Sequence, residues 1–86
     1  MSIFVLLNGD KVATTAHLDE KLVERKISLA EVKETIDSPD TVTGDKHDPD
    51  GKKYWKNYGR RTLVVCLNHS RSVAIGKTIF VYNHND

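Results

Sequence analysis

The stretch from Thr15 to Ser28 constrains the chain most. Its apolar residues Leu18, Leu22 and Val23 recur at three- and four-residue spacing, which predicts one amphipathic helix over 16–26 with those side chains on its buried stripe. His17, Lys21 and Arg25 lie four apart and stack along a neighbouring face. Thr15 suits the N-cap, where its hydroxyl accepts a free amide of the first turn. Two cations and an imidazole in one row make either a solvated face or one wall of an anion-binding site.

Ser28 followed three residues later by Glu31 is a capping box, so a second helix should run from Leu29 to Ile36 with Val32 and Ile36 on one face. Pro39 ends it, since proline cannot continue a helix and disfavours helical backbone at Ser38. Before the helices, Asn8-Gly9 separates Ile3–Leu7 from Lys11–Thr14, which predicts a hairpin, or one strand and a turn. After them, Thr41–Thr43 is a short strand candidate. Gly44–Lys53, polar with two glycines and a proline, reads as an exposed loop. Lys53–Tyr58 interleaves aromatic and basic residues. Arg61–Leu67 is apolar on both faces in its middle and reads as a central strand. Asn68–Arg71 is a hairpin loop. Residues 72–82 form one long bent strand, or two broken at Gly76, and Asn83–Asp86 a frayed tail. The expected fold is α+β, a single domain over 1–86. An N-terminal hairpin or strand precedes two short helices packed on a twisted antiparallel sheet of three to four further strands.

Charge is distributed unevenly. Residues 1–51 carry six cations and eleven anions (−5), and residues 52–86 carry seven cations and one anion (+6). The two halves either neutralise each other across their contact or leave a basic surface on a protein of net charge +1. The single cysteine, Cys66, excludes an intramolecular disulfide framework and sits in an apolar run as a small core residue. The apolar start Ile3–Leu7 is too short for a signal peptide or a membrane span, so the expected location is cytoplasmic, with no membrane partner. His47, Asp48 and Asp50 match no metal-ligand spacing, and neither metal nor cofactor is expected.

The segment His17-x3-Lys21-x3-Arg25-x-Ile27-Ser28, followed by a second helix, a proline stop and strands, resembles a family of small prokaryotic domains of uncharacterised function. Those domains carry His-x3-Arg-x3-Arg-Gly-Ile-Ser and are grouped with the RelE-like, barnase–EndoU–colicin type of ribonuclease fold. Lys21 stands where that motif has arginine, and Lys26 where it has glycine. The resemblance covers residues 15–82. It implies a metal-independent endoribonuclease acting on mRNA or tRNA as a toxin, held in check by an antitoxin or immunity protein.

In that chemistry a base takes the proton of a 2′-hydroxyl, which attacks the adjacent phosphate. An acid protonates the leaving oxygen, and cations stabilise the phosphorane. His17 is the candidate base or acid, because imidazole ordinarily titrates near ~6.5. Arg25 and Arg60 are the candidates for phosphate stabilisation through their planar forks. Lys21 could add charge or donate a proton, Tyr58 and Tyr82 could stack on a base or donate a proton, and Thr78 could hydrogen-bond a phosphate. Tyr54, Trp55, Lys53 and Lys56 interleave ring and charge as single-strand binders do. Each has a plainer reading: His17 and Lys21 as solvated helix residues, Arg25 as an ion-pair partner, and the tyrosines as half-buried sheet residues. Arg60 and Arg61 point to opposite faces if the strand continues through them, so only one should join a site. His69 reads as a solvent-exposed loop residue. The rival to the enzyme is a non-catalytic RNA- or protein-binding module of the same fold. A homodimer through an exposed strand edge is a further alternative.

Overall fold

The computed structural model describes residues 2–84. In chain order the elements are β1 (Ile3–Val5), β2 (Lys11–Thr14), α1 (Ala16–Arg25), α2 (Leu29–Asp37), β3 (Thr41–Asp45), β4 (Asp48–Asn57), β5 (Arg61–Asn68) and β6 (Val73–Asn83). The six strands form one sheet in the order β1-β2-β6-β5-β4-β3. The fold is α+β as expected, but the sheet is mixed. β2 pairs with β6 in parallel, Lys11 beside Val73 through Thr14 beside Gly76, and the other four pairings are antiparallel. Side-chain alternation reports which face a residue takes, not which way its neighbouring strand runs, so the parallel pair was invisible in the sequence.

The helices begin as their caps dictate. Ser28 and Glu31 form the reciprocal capping box at α2. The end of α1 is less relaxed. Lys26 has φ 55° in the left-handed region, with its N–H on Val23 O at 3.2 Å and Ile27 N–H on Leu22 O at 2.8 Å. That is a Schellman closure, which favours glycine. Val23 departs from the expectation: it is 81 % exposed while Leu18 and Leu22 are buried. At about 100° per residue Val23 lies some 140° around the helix from Leu18, off the stripe.

The expected exposed loop over 44–53 is mostly strand. β3 and β4 meet in a tight hairpin, with Gly44 opposite Lys52, Asp45 opposite Asp48, and a bulge between Gly44 and Asp45. Pro49 falls in that irregular turn-side segment, before the β4–β5 ladder begins at Gly51, so its missing N–H costs no ladder bond. The chain is not broken at Gly76 either. β6 runs on through a bulge, with Leu67 opposite Gly76 and Cys66 opposite Thr78, which leaves Lys77 as the extra residue. Asn83 closes β6, and His84 N–H donates to Arg60 O at 2.9 Å; Asn85 and Asp86 lie outside the described residues.

Both helices contribute to one core. Leu18 and Leu22 of α1 and Val32 and Ile36 of α2 cluster with Val12, Leu63, Val65, Leu67 and Ile79 of the sheet. Val64 and Cys66, the alternate residues of β5, turn to the opposite face and are still almost fully buried. Trp55 and Phe80 flank Val64 in register, and Lys53 and Thr78 flank Cys66. Burial pushes the Cys66 thiol up from its ordinary pKa, as befits a packed core residue.

Candidate functional site

One threonine fixes α1 to the sheet. Thr15 Oγ1 accepts Leu18 N–H at 3.1 Å and lies 3.0 Å from Gly76 O and 3.2 Å from Lys77 O as a donor; Thr15 N–H also donates to Gly76 O. Gly76 makes room for the helix: a Cβ there would lie 2.7 Å from Leu18 Cδ2. From this anchor α1 runs along β6. β2 leaves β6 at Gly76, so beyond that point the outer side of β6 faces α1 instead of a strand.

The space between them is a cleft of about 350 Å³, lined by His17, Lys21 and Arg25 of α1 and by residues 78–82 of β6. The cleft therefore gathers five of the candidates: His17, Lys21, Arg25, Thr78 and Tyr82. Phe80 joins them. It was overlooked, although the alternation Thr78-x-Phe80-x-Tyr82 puts the three on one face.

Positive charge in the cleft comes from α1. Lys21 meets Glu24 at 3.7 Å on the helix surface, while His17 and Arg25 make no hydrogen bond or ion pair among the described residues. Lys77, at the bulge beside the cleft, is already neutralised: its ammonium lies 2.8 Å from Asp48 and 3.4 Å from Asp45. The Asp48 contact raises the Lys77 pKa, and the same bond holds the Asp48 carboxyl below its usual value. Gly51 permits this carboxylate pair to sit on the hairpin, since a Cβ there would come within 2.9 Å of Asp45 Cβ.

The cleft opens onto the sheet face away from the helices, which carries rings and a cation. Trp55 and Tyr82 stack with planes 5° apart and centroids 6.1 Å apart, and Lys53 Nζ lies 5.9 Å from the Phe80 ring centre. The Trp55 indole N–H is held by Thr43 Oγ1 at 2.9 Å. Phe80 and Tyr82 are about half exposed.

The remaining candidates lie elsewhere. The Tyr58 hydroxyl is 2.9 Å from Thr35 Oγ1 and donates to Glu31 O at 3.2 Å, so it locks α2 onto the sheet. Burial raises its pKa. Arg60 is exposed in the β4–β5 turn and outside the cleft lining. Arg61 takes the opposite direction and pairs with Glu31 of α2. Burial pushes the Glu31 carboxyl up, but the Ser28 N–H and the Arg61 guanidinium outweigh it and leave the pKa lowered. His69 is an exposed loop residue as expected, and its Nε2 lies 2.9 Å from the Tyr54 hydroxyl, at a second cavity of about 310 Å³ near the β1–β2 turn. Burial lowers its pKa.

Among the described residues no three His, Cys, Asp or Glu side chains gather where they could share a metal ion. No helix among them is long and apolar enough to cross a membrane. Residues 14–82 match the model of a domain of unknown function, DUF4258, and the chain belongs to that family. No curated protein and no solved structure matches the chain.

Proposed function

We propose that this DUF4258 domain is a RelE-like, metal-independent endoribonuclease of the toxin kind, with the α1–β6 cleft as its site. The observation that carries the reading is the convergence of His17, Lys21 and Arg25 with Thr78 and Tyr82 beside an exposed aromatic face. A phosphodiester seated against Arg25 would meet a planar fork suited to two of its oxygens. Flanking bases would lie on Phe80, Tyr82 and Trp55, whose ring faces accept any base. His17 takes the proton of the 2′-hydroxyl as that oxygen bonds to phosphorus. The P–O5′ bond breaks, Lys21 or the Tyr82 hydroxyl protonates the leaving oxygen, and a 2′,3′-cyclic phosphate and a 5′-hydroxyl end result.

Such a cut requires single-stranded RNA, because the attacking oxygen must swing in line with the departing one, and mRNA or tRNA loops offer that freedom. An antitoxin or immunity protein would restrain the activity in the cell. Incubation with a single-stranded RNA oligonucleotide tests the reading. The unmodified protein should yield cyclic-phosphate ends, and His17→Ala should lower the rate by about 10²–10⁴-fold with RNA affinity retained. Unchanged RNA with the unmodified protein removes the enzyme.

A binding-only module is the second reading. It is favoured by the placement of Tyr58 and Arg60 outside the cleft, which removes one proton-transfer candidate and one phosphate-binding candidate from it. On that reading RNA binds in the cleft and survives intact.

A further inference from the structure

The cleft has a second property, carried by backbone atoms instead of side chains. In an antiparallel pair, successive residues turn their N–H and C=O alternately toward one neighbour and the other. His84 N–H donates to Arg60 O, on the β5 side. Tyr82, Phe80 and Thr78 share that direction, paired with Thr62, Val64 and Cys66. Ile79 and Val81 therefore turn their N–H and C=O groups outward, away from β5. Both residues line the cleft, while the Ile79 side chain belongs to the core and that of Val81 packs against it. Among the described residues no strand pairs with them on that side, since the pairing with β2 ends at Gly76.

The result is a sheet edge with no strand neighbour, about 14 Å long over 78–82, in line with the position that β2 fills further down and bordered by α1. One wall of this slot is the cationic row of α1, and the other is the Phe80–Tyr82 face. We propose that this slot accepts an extended, acidic segment of a partner protein as a seventh strand, bonded to Ile79 and Val81 and held by Lys21 and Arg25. Its side chains alternate: those facing α1 are carboxylates, and those on the other face are apolar and lie along Phe80 and Tyr82. Main-chain bonds give the register and the charge row gives selectivity. The inference rests on the ribonuclease reading only for its consequence, which is that the strand shuts RNA out of the cleft.

The test uses the full chain and a capped octapeptide alternating Glu and Val, followed by amide spectra and hydrogen exchange. The Ile79 and Val81 amides should shift and exchange about tenfold more slowly at saturation. The Lys21→Glu/Arg25→Glu pair should weaken binding by about tenfold or more. High salt should weaken it in the unmodified chain, which covers the case of a poorly folded variant. Binding that leaves both amides unprotected overturns the proposal, as does equal binding of a Lys–Val octapeptide. Protection that grows with protein concentration and needs no peptide puts a second copy in the slot and also overturns it. RNA binding without peptide protection sinks strand addition and leaves the RNA reading standing. Peptide protection without RNA binding does the reverse.

Discussion

α1 and α2 are near equals in length, capping and amphipathicity, yet the sheet treats them differently. Every polar group on the inner side of α2 is tied down. Glu31 holds Arg61, Thr35 and Glu31 O hold Tyr58, and the Lys56 ammonium donates to Ser38 O at 2.7 Å just past the helix end. The α1 side is anchored at one end by Thr15 and through its middle by Leu18 and Leu22, while His17 and Arg25 serve no structural bond among the described residues. Polar residues on α2 are explained by the fold. His17 and Arg25 on α1 are left over among the described residues after the fold is explained, and leftover charge beside an unpaired strand edge marks a place for a ligand.

That contrast predicts separable losses. The largest is Leu18→Ala, which empties the contact over Gly76 and should cost about 2–5 kcal/mol, read in a denaturant midpoint. It would also loosen the cleft, so its effect on RNA should exceed that of any single surface charge.

Arg61→Ala and Arg25→Ala sharpen the contrast directly. Arg61→Ala should lower stability by about 1–2 kcal/mol, discounted for the partial exposure of the pair, and leave RNA affinity unchanged. Arg25→Ala should leave the midpoint where it is and weaken RNA, with the slope of log affinity against log salt reduced by about 0.7. The reverse pattern would exchange the roles assigned to the two helices.

Tyr58→Phe removes the hydroxyl between Thr35 and Glu31 O and should cost about 1 kcal/mol with no change in RNA binding. Lys26→Gly is smaller and opposite in sign. It relieves the left-handed strain at the end of α1 and should stabilise by about 0.5 kcal/mol, after the extra freedom glycine gives the unfolded chain.

The smallest effect is on pH. The Asp48 carboxyl is lowered by its bond to Lys77, so that contribution stands above the ordinary carboxylate pKa near ~3.9 and is lost as pH falls through the lowered value. The Lys77 part, raised by Asp48, is present below the ordinary lysine pKa and lost as pH rises through the raised one. Asp48→Asn should flatten the melting temperature at both ends.

Much of this was legible in the residues, and where it was not, a physical reason exists. The α1 row, the Thr15 cap, the Ser28–Glu31 box and the long central strand follow from local periodicity and capping chemistry, which act over four residues or fewer. Of the site expected from the sequence, His17, Lys21 and Arg25 share one cleft with Thr78 and Tyr82, whereas Arg60 lies outside it and Arg61 pairs with Glu31, so neither of those two arginines joins it. Tyr58 and Arg61 were ambiguous because their partners, Thr35 and Glu31, lie 23 and 30 residues away. The β3–β4 hairpin read as loop because Pro49 and two glycines suppress strand propensity, while the bulge that tolerates them depends on pairing. The unpaired edge of β6 was hidden for the same reason: it exists only because the pairing with β2 ends at Gly76.

RNA should enter the α1–β6 cleft and not the α2 side. A non-cleavable, 2′-O-methyl single-stranded RNA titrated into the labelled protein tests it most directly. Amide and side-chain shifts should appear at His17, Lys21, Arg25, Phe80 and Tyr82, with Trp55 following and Tyr58, Arg61 and Glu31 still. Shifts centred on α2 and β4, or none at low salt, would contradict it.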